Sequence, residues 1–154
     1  MDFKNQYELI RSSRGALLDY CETLSQAHLL EENSTFGRGS IRNLLVHNGY
    51  TYQYWLGVQA LGKHIPFPEY ESVETVADAR RLFDQVDAIV SEFISEFESK
   101  PLESIQVTLR EHTFPATALE LFTHAISHEF HHKGQMLSLS RHLGYIPADT
   151  DVIR

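Results

Sequence analysis

Residues 128 to 135 of this chain read HEFHHKGQ, three histidines and a glutamate in eight positions. Neutral imidazole is the commonest side-chain ligand for transition metals. His128 and His132 stand four apart, so both lie on one face of a helix, at the spacing that lets one helix hold an ion through two nitrogens. Two ligands make a weak site, and a third must come from another segment. His47 is the best placed, on the helical line Leu44, His47, Thr51, Tyr54 and Val58, which can face a neighbouring helix. His28, His64, His112 and His142 fall at a helix end, in a Pro-rich loop, in a connector and in a last turn. The same letters satisfy H-E-x-x-H, in which Glu129 would be the general base of a metal-dependent hydrolase. No third histidine of the common zinc-protease spacing follows, so Glu129 is assigned instead to the surroundings of the metal, orienting a ligand imidazole.

The elements that must position these groups are helices. From Phe3 the series Phe3, Tyr7, Ile10, Leu17, Cys21 and Leu24 steps by threes and fours, with Arg14 filling one gap. That helix should fail near LEENSTFGRGS, where Asn33, Gly37 and Gly39 mark a loop. Ser40 reads as the N-cap of a second helix, IRNLLVHNGYTYQYWLGVQALG, which Pro66 and Pro68 end. Val76, Ala79, Phe83, Val86, Val90, Phe93 and Phe97 form the seam of a third, closed by Pro101. SIQVTLREH alternates Ile105, Val107 and Leu109 with polar residues, and a short extended segment is expected there. A last helix is predicted from about Pro115 to Leu143, with Thr117 and Glu120 spaced as a capping box.

Laid out at about 100° per residue, the last helix carries an apolar arc of roughly 180°. His128 and His132 project together at its edge, Glu129 lies inside it, and His124 and His131 sit near the polar boundary as ordinary surface histidines. Tyr50, Tyr52, Tyr54 and Trp55 read as aromatic core first and pocket wall second, and Cys21 as a packed thiol. The expected fold is all-α, a four-helix bundle in one domain over residues 1–154, with that short extended segment before the last helix.

Composition excludes several functions. The formal charge of −8 disperses only 13 basic residues among 21 acidic ones, which makes nucleic acid a poor partner. No run approaches the roughly 18 apolar residues of a membrane span. A single cysteine precludes an internal disulfide, and nothing near the start reads as a signal peptide, so the cytoplasm is the expected location.

SIRNLLVHNGYTYQYW resembles the first motif of the DinB-like (DinB/YfiT) superfamily, and LFTHAISHEFHHKGQMLSLSRHLGYIP resembles its second. The resemblance implies a four-helix bundle, commonly dimeric, that binds a divalent metal through three histidines. Carried over by matched position, these are His47, His128 and His132. Lys133 stands where the family more often has arginine, keeping the charge but losing the planar fork.

Three neutral imidazoles leave the charge of a divalent ion uncompensated and at least one coordination position open, the layout of a catalytic site. Zinc is the first candidate, with nickel, iron and manganese as alternatives. The resemblance extends to thiol-dependent transferases and isomerases, so the expected activity is a thiol transfer, a metal-activated small thiol attacking an electrophilic substrate. The alternatives are a hydrolase using Glu129 and a non-catalytic bundle that the metal stabilises. The width of the apolar arc, together with the resemblance, predicts a homodimer.

Overall fold

Local capping chemistry sets where most of the helices begin. The structure, a computed structural model, describes residues 2–154. Asp2 accepts from the Asn5 amide at 2.9 Å, and helix α1 runs Phe3–Cys21. Ser25 caps a short helix α2, Gln26–Leu30, which the spacing of apolar residues did not separate from α1. Ser40 accepts from the Asn43 amide at 3.1 Å and starts α3, Ile41–Tyr52. Thr75 and Asp78 form a capping box ahead of α4, Val76–Phe97. Thr117 and Glu120 form another ahead of α5, Ala118–His142, with bonds of 2.7 and 3.2 Å. Each box satisfies backbone donors that the first helical turn leaves without partners.

The predicted second helix changes geometry midway. Beyond Tyr52 it widens into a π-helix, Gln53–Ala60, whose closing bond runs from the Leu61 amide back five residues to the Leu56 carbonyl at 3.2 Å. Gly57 permits the close approach of the following loop, because a Cβ there would lie 2.4 Å from Ile65 Cδ1. π-Turns of this kind recur next to functional sites, and this one directly follows the helix that carries His47.

The fold is mostly helical but not all-α. Strands β1, Ser104–Leu109, and β2, His112–Thr117, pair antiparallel from Ser104 opposite Thr117 to Leu109 opposite His112. The expected extended segment is therefore one half of a hairpin. The last three residues of its second strand, 115–117, are ones that the sequence assigns to the start of the last helix, because Pro115 reads as a helix opener. In a two-stranded ribbon a proline costs little, since one side of each strand needs no donor. Arg110 takes the left-handed conformation at the turn, φ 57°. The hairpin docks on the π-helix: Tyr54 Oη donates to the Thr108 carbonyl at 2.5 Å, and the Thr108 amide donates to Gln59 Oε1 at 2.7 Å.

One hydrophobic cluster is shared by the four long helices. Phe3, Phe93 and Phe122 meet with ring centroids 4.7 to 6.2 Å apart. Each such side chain stabilises the fold by about 1.5–3 kcal/mol. Within this cluster lies an ion pair. Arg14, the charged gap in the apolar series of α1, is buried and grips the buried Glu129 with both forks: Nε donates to Oε1 at 2.8 Å and Nη2 to Oε2 at 2.9 Å. Tyr52 Oη donates to Glu129 Oε2 at 2.6 Å, Arg14 Nη1 donates to Asp87 Oδ1 at 2.8 Å, and Tyr7 Oη donates to the same Asp87 oxygen at 2.7 Å. Burial holds both phenols well above their ordinary pKa, so they remain donors.

A charge stranded in this position is expensive. Arg14→Met should destabilise the fold by about 3–5 kcal/mol in urea unfolding, because Glu129 loses its bidentate partner. Adding Glu129→Leu should recover most of that loss. A single-variant effect under about 1 kcal/mol would show that the pair behaves like an exposed one.

Candidate metal centre

Helices α3 and α5 pack together and bring three histidines to one point. His47 projects from α3, and His128 and His132 project from successive turns of α5. Ring centroids lie 4.9 Å apart for His47 and His128, 4.8 Å for His47 and His132, and 4.4 Å for His128 and His132. Each offers one ligand nitrogen, and these nitrogens all lie within 4.8 Å of one another. His47 and His128 are half-buried and His132 is buried.

Hydrogen bonds on the far side of each ring decide which nitrogen is free. Thr51 Oγ1 donates its only proton to the His47 carbonyl at 2.9 Å, so it must accept from His128 Nδ1 at 3.3 Å. His132 Nδ1 faces Gln135 Oε1 at 2.7 Å and donates to it. Both rings thereby carry the proton on Nδ1 and keep the lone pair of Nε2 as the available ligand. His47 Nε2 faces a guanidinium nitrogen of Arg38 at 3.4 Å and is an acceptor as well.

The rings are also held neutral. Burial first, then Arg38 and the other two rings, lowers the His47 pKa to about 3. Burial and the neighbouring histidines lower that of His128 to about 4. Burial likewise lowers His132, partly opposed by Gln135. At neutral pH a metal therefore displaces no proton from any of them. In the metal-free protein the sign is fixed: the unfolded chain takes up protons near pH 6.5 and the folded chain only far below. These rings therefore contribute stability above pH 6.5 that is lost as pH falls toward 4.

The donor set fits a divalent ion. Bonds of about 2.1 Å to a tetrahedral ion require nitrogens about 3.4 Å apart, a modest contraction for rings on χ1 and χ2 hinges. His47 also lines a cleft of about 420 Å³, with Arg38, Tyr50, Phe67, Glu69 and Tyr70 among its walls. A ligand can thus approach the histidine cluster from that side.

Of the other expected roles, that of Glu129 is corrected and those of Tyr52 and Cys21 agree with the structure. Glu129 is buried next to His128 in sequence, but both carboxylate oxygens are committed to Arg14 and Tyr52, and it makes no hydrogen bond to any imidazole. Thr51 and Gln135 orient the rings instead. Of the aromatics on the second helix, Tyr52 is core, Tyr50 lines the cleft, and Tyr54 fastens the hairpin. His124 packs between Trp55 at 5.1 Å and His128 at 5.6 Å, at the edge of the trio, and His28 Nδ1 lies 2.7 Å from Tyr145 Oη. Lys133 Nζ donates to Ser13 Oγ at 2.8 Å and the Thr150 carbonyl at 2.6 Å, fastening the C-terminal segment to α1. Cys21 is a packed thiol, its pKa pushed up to about 12 by burial.

Three residues at or beside the site went unassigned from sequence. Gln135 was legible in principle, since it stands three positions after His132 on the same helix face. Thr51 was on the line through His47 without a role. Arg38 lay in a loop, and nothing local marks it.

Compared with known protein families, the chain matches the DinB family over residues 1–154. No curated protein matches it. Among the described residues, no helix is long and apolar enough to cross a membrane.

Removing the orienting groups should be felt at the metal. Thr51→Val and Gln135→Ala are each expected to weaken zinc binding by about 10–100-fold in chelator competition, with little change in fold. Unchanged affinity in both variants would show that the rings need no such support.

Proposed function

The chain belongs to the DinB family, and from that premise we propose that it is a metal-dependent enzyme of the thiol-transferase type, holding one divalent ion on the Nε2 atoms of His47, His128 and His132. The single observation supporting this most strongly is the convergence of three neutral imidazoles whose ligand nitrogens lie within 4.8 Å of one another beside an accessible cleft. When bound, a divalent ion there supplies Lewis acidity and lowers the pKa of a thiol that ligates it. Zinc suits three imidazoles best.

The residues of the chain divide the remaining work. Thr51 and Gln135 keep the protons of His128 and His132 on Nδ1. Tyr50, Phe67 and Tyr70 shield one side of the cleft from water and offer an apolar wall to an electrophilic substrate. Hydrolysis by an H-E-x-x-H mechanism is disfavoured, because the buried Glu129 carboxylate is gripped by Arg14 and Tyr52 on the side of the core and makes no hydrogen bond to any of the three imidazoles. A homodimer belongs to the same proposal: Leu119, Phe130 and Leu137 on α5 remain half-buried, an apolar strip that a second copy can cover.

Cobalt substitution tests this directly. The loaded protein should gain a thiolate-to-metal absorption band on titration with a small thiol and elute near twice its 17.7 kDa chain mass by light scattering. His47→Ala should lose metal affinity by more than about 100-fold. Metal retention in His47→Ala, or indifference of the cobalt spectrum to every thiol, would contradict the assignment.

A further inference from the structure

A cation overlooks the three imidazoles. Arg38 sits in the loop ahead of α3 with φ 71°, followed by Gly39 at φ 85°. A non-glycine residue in the left-handed region is under strain, and it persists only where its surroundings enforce it. They do so here. Asn43 Nδ2 donates to the Arg38 carbonyl at 2.7 Å and to Glu32 Oε1 at 3.0 Å, and the Asn33 amide donates to the Gly39 carbonyl at 2.6 Å.

The loop delivers the guanidinium to the ligand cluster. Arg38 Nη2 lies 3.4 Å from His47 Nε2, and its charge opposes protonation of all three rings. Among the described residues it forms no ion pair with a carboxylate. A guanidinium beside a divalent ion is repelled unless an anion lies between them or alongside. Arg38 also shares its cleft with Tyr50, Phe67 and Tyr70, whose rings present an apolar surface, and with Glu69.

We propose that Arg38 and this cleft form a carboxylate-binding subsite, whose ligand is a small organic monocarboxylate with an aromatic or apolar body. The planar guanidinium fork matches a carboxylate, and the body packs on Tyr50, Phe67 and Tyr70. Glu69 repels a second negative charge, so dicarboxylates are disfavoured. The subsite deepens the proposed function by naming the class of its substrate. It rests on that proposal only for its position beside the metal; recognition of the carboxylate by Arg38 does not require the ion.

Benzoate, benzyl alcohol and phthalate separate charge from shape. Titrated into the metal-free full chain and followed by amide NMR shifts, benzoate should bind about tenfold more tightly than benzyl alcohol. It should also bind more tightly than phthalate, with shifts centred on Tyr50, Phe67 and Tyr70. Arg38→Gln should erase the preference over benzyl alcohol, and Arg38→Lys should keep part of it. In the cobalt-loaded protein, 3-mercaptopropionate should outcompete 2-mercaptoethanol by a margin that shrinks in Arg38→Gln. A preference below about twofold, or one that survives Arg38→Gln, overturns the subsite. If cobalt fails to bind while the Arg38-dependent benzoate preference persists, the metal assignment falls and the subsite stands. Cobalt and thiol binding without any Arg38 dependence would overturn the subsite alone.

Discussion

A single buried carboxylate, Glu129, ties the four long helices together. It projects from α5, receives both forks of Arg14 from α1 and the hydroxyl of Tyr52 from α3, and reaches Asp87 of α4 through that same arginine. Any rotation of α5 about its axis would pull the carboxylate out of this clamp, at the cost of leaving a charge buried without partners. His128 is the next residue back along the chain, and His132 is three residues on. The ion pair therefore sets the direction in which both histidines point.

This division of labour explains how one short stretch serves two purposes. Within HEFHHKGQ, the histidines at the two ends of the H-E-x-x-H spacing face α3 and meet His47, while the glutamate between them faces Arg14. The letters are those of a zinc hydrolase, but the fold spends the carboxylate on structure. Proton placement on the histidines passes to Thr51 and Gln135, neutral groups that orient without adding charge. A site built from neutral donors leaves a bound ion fully electrophilic, and the cleft beside His47 supplies the approach.

What was legible in the sequence is what local chemistry determines. Ser40 and the Thr117–Glu120 pair marked helix starts because a cap acts within three residues. His128 and His132 were legible because i,i+4 spacing is a property of one helix, and His47 because it lay on a line facing a neighbour. The second strand of the hairpin was hidden, since Pro115 suits a helix start as well as a ribbon edge and only pairing with Gln106 decides between them. Arg14 appeared as a gap in an apolar series because its partner lies 115 residues away. Arg38 was out of reach for a similar reason: a loop arginine gains its meaning only when folding sets it against His47.

X-ray absorption at the metal edge of the zinc-loaded protein tests the convergence of the three rings most directly. Three imidazole nitrogens at about 2.0–2.1 Å, with one further light ligand that a thiol replaces by sulfur at about 2.3 Å, are expected. A coordination shell containing fewer than three imidazoles, or one unchanged in His47→Ala, would contradict the assignment of His47, His128 and His132 as the metal's protein ligands.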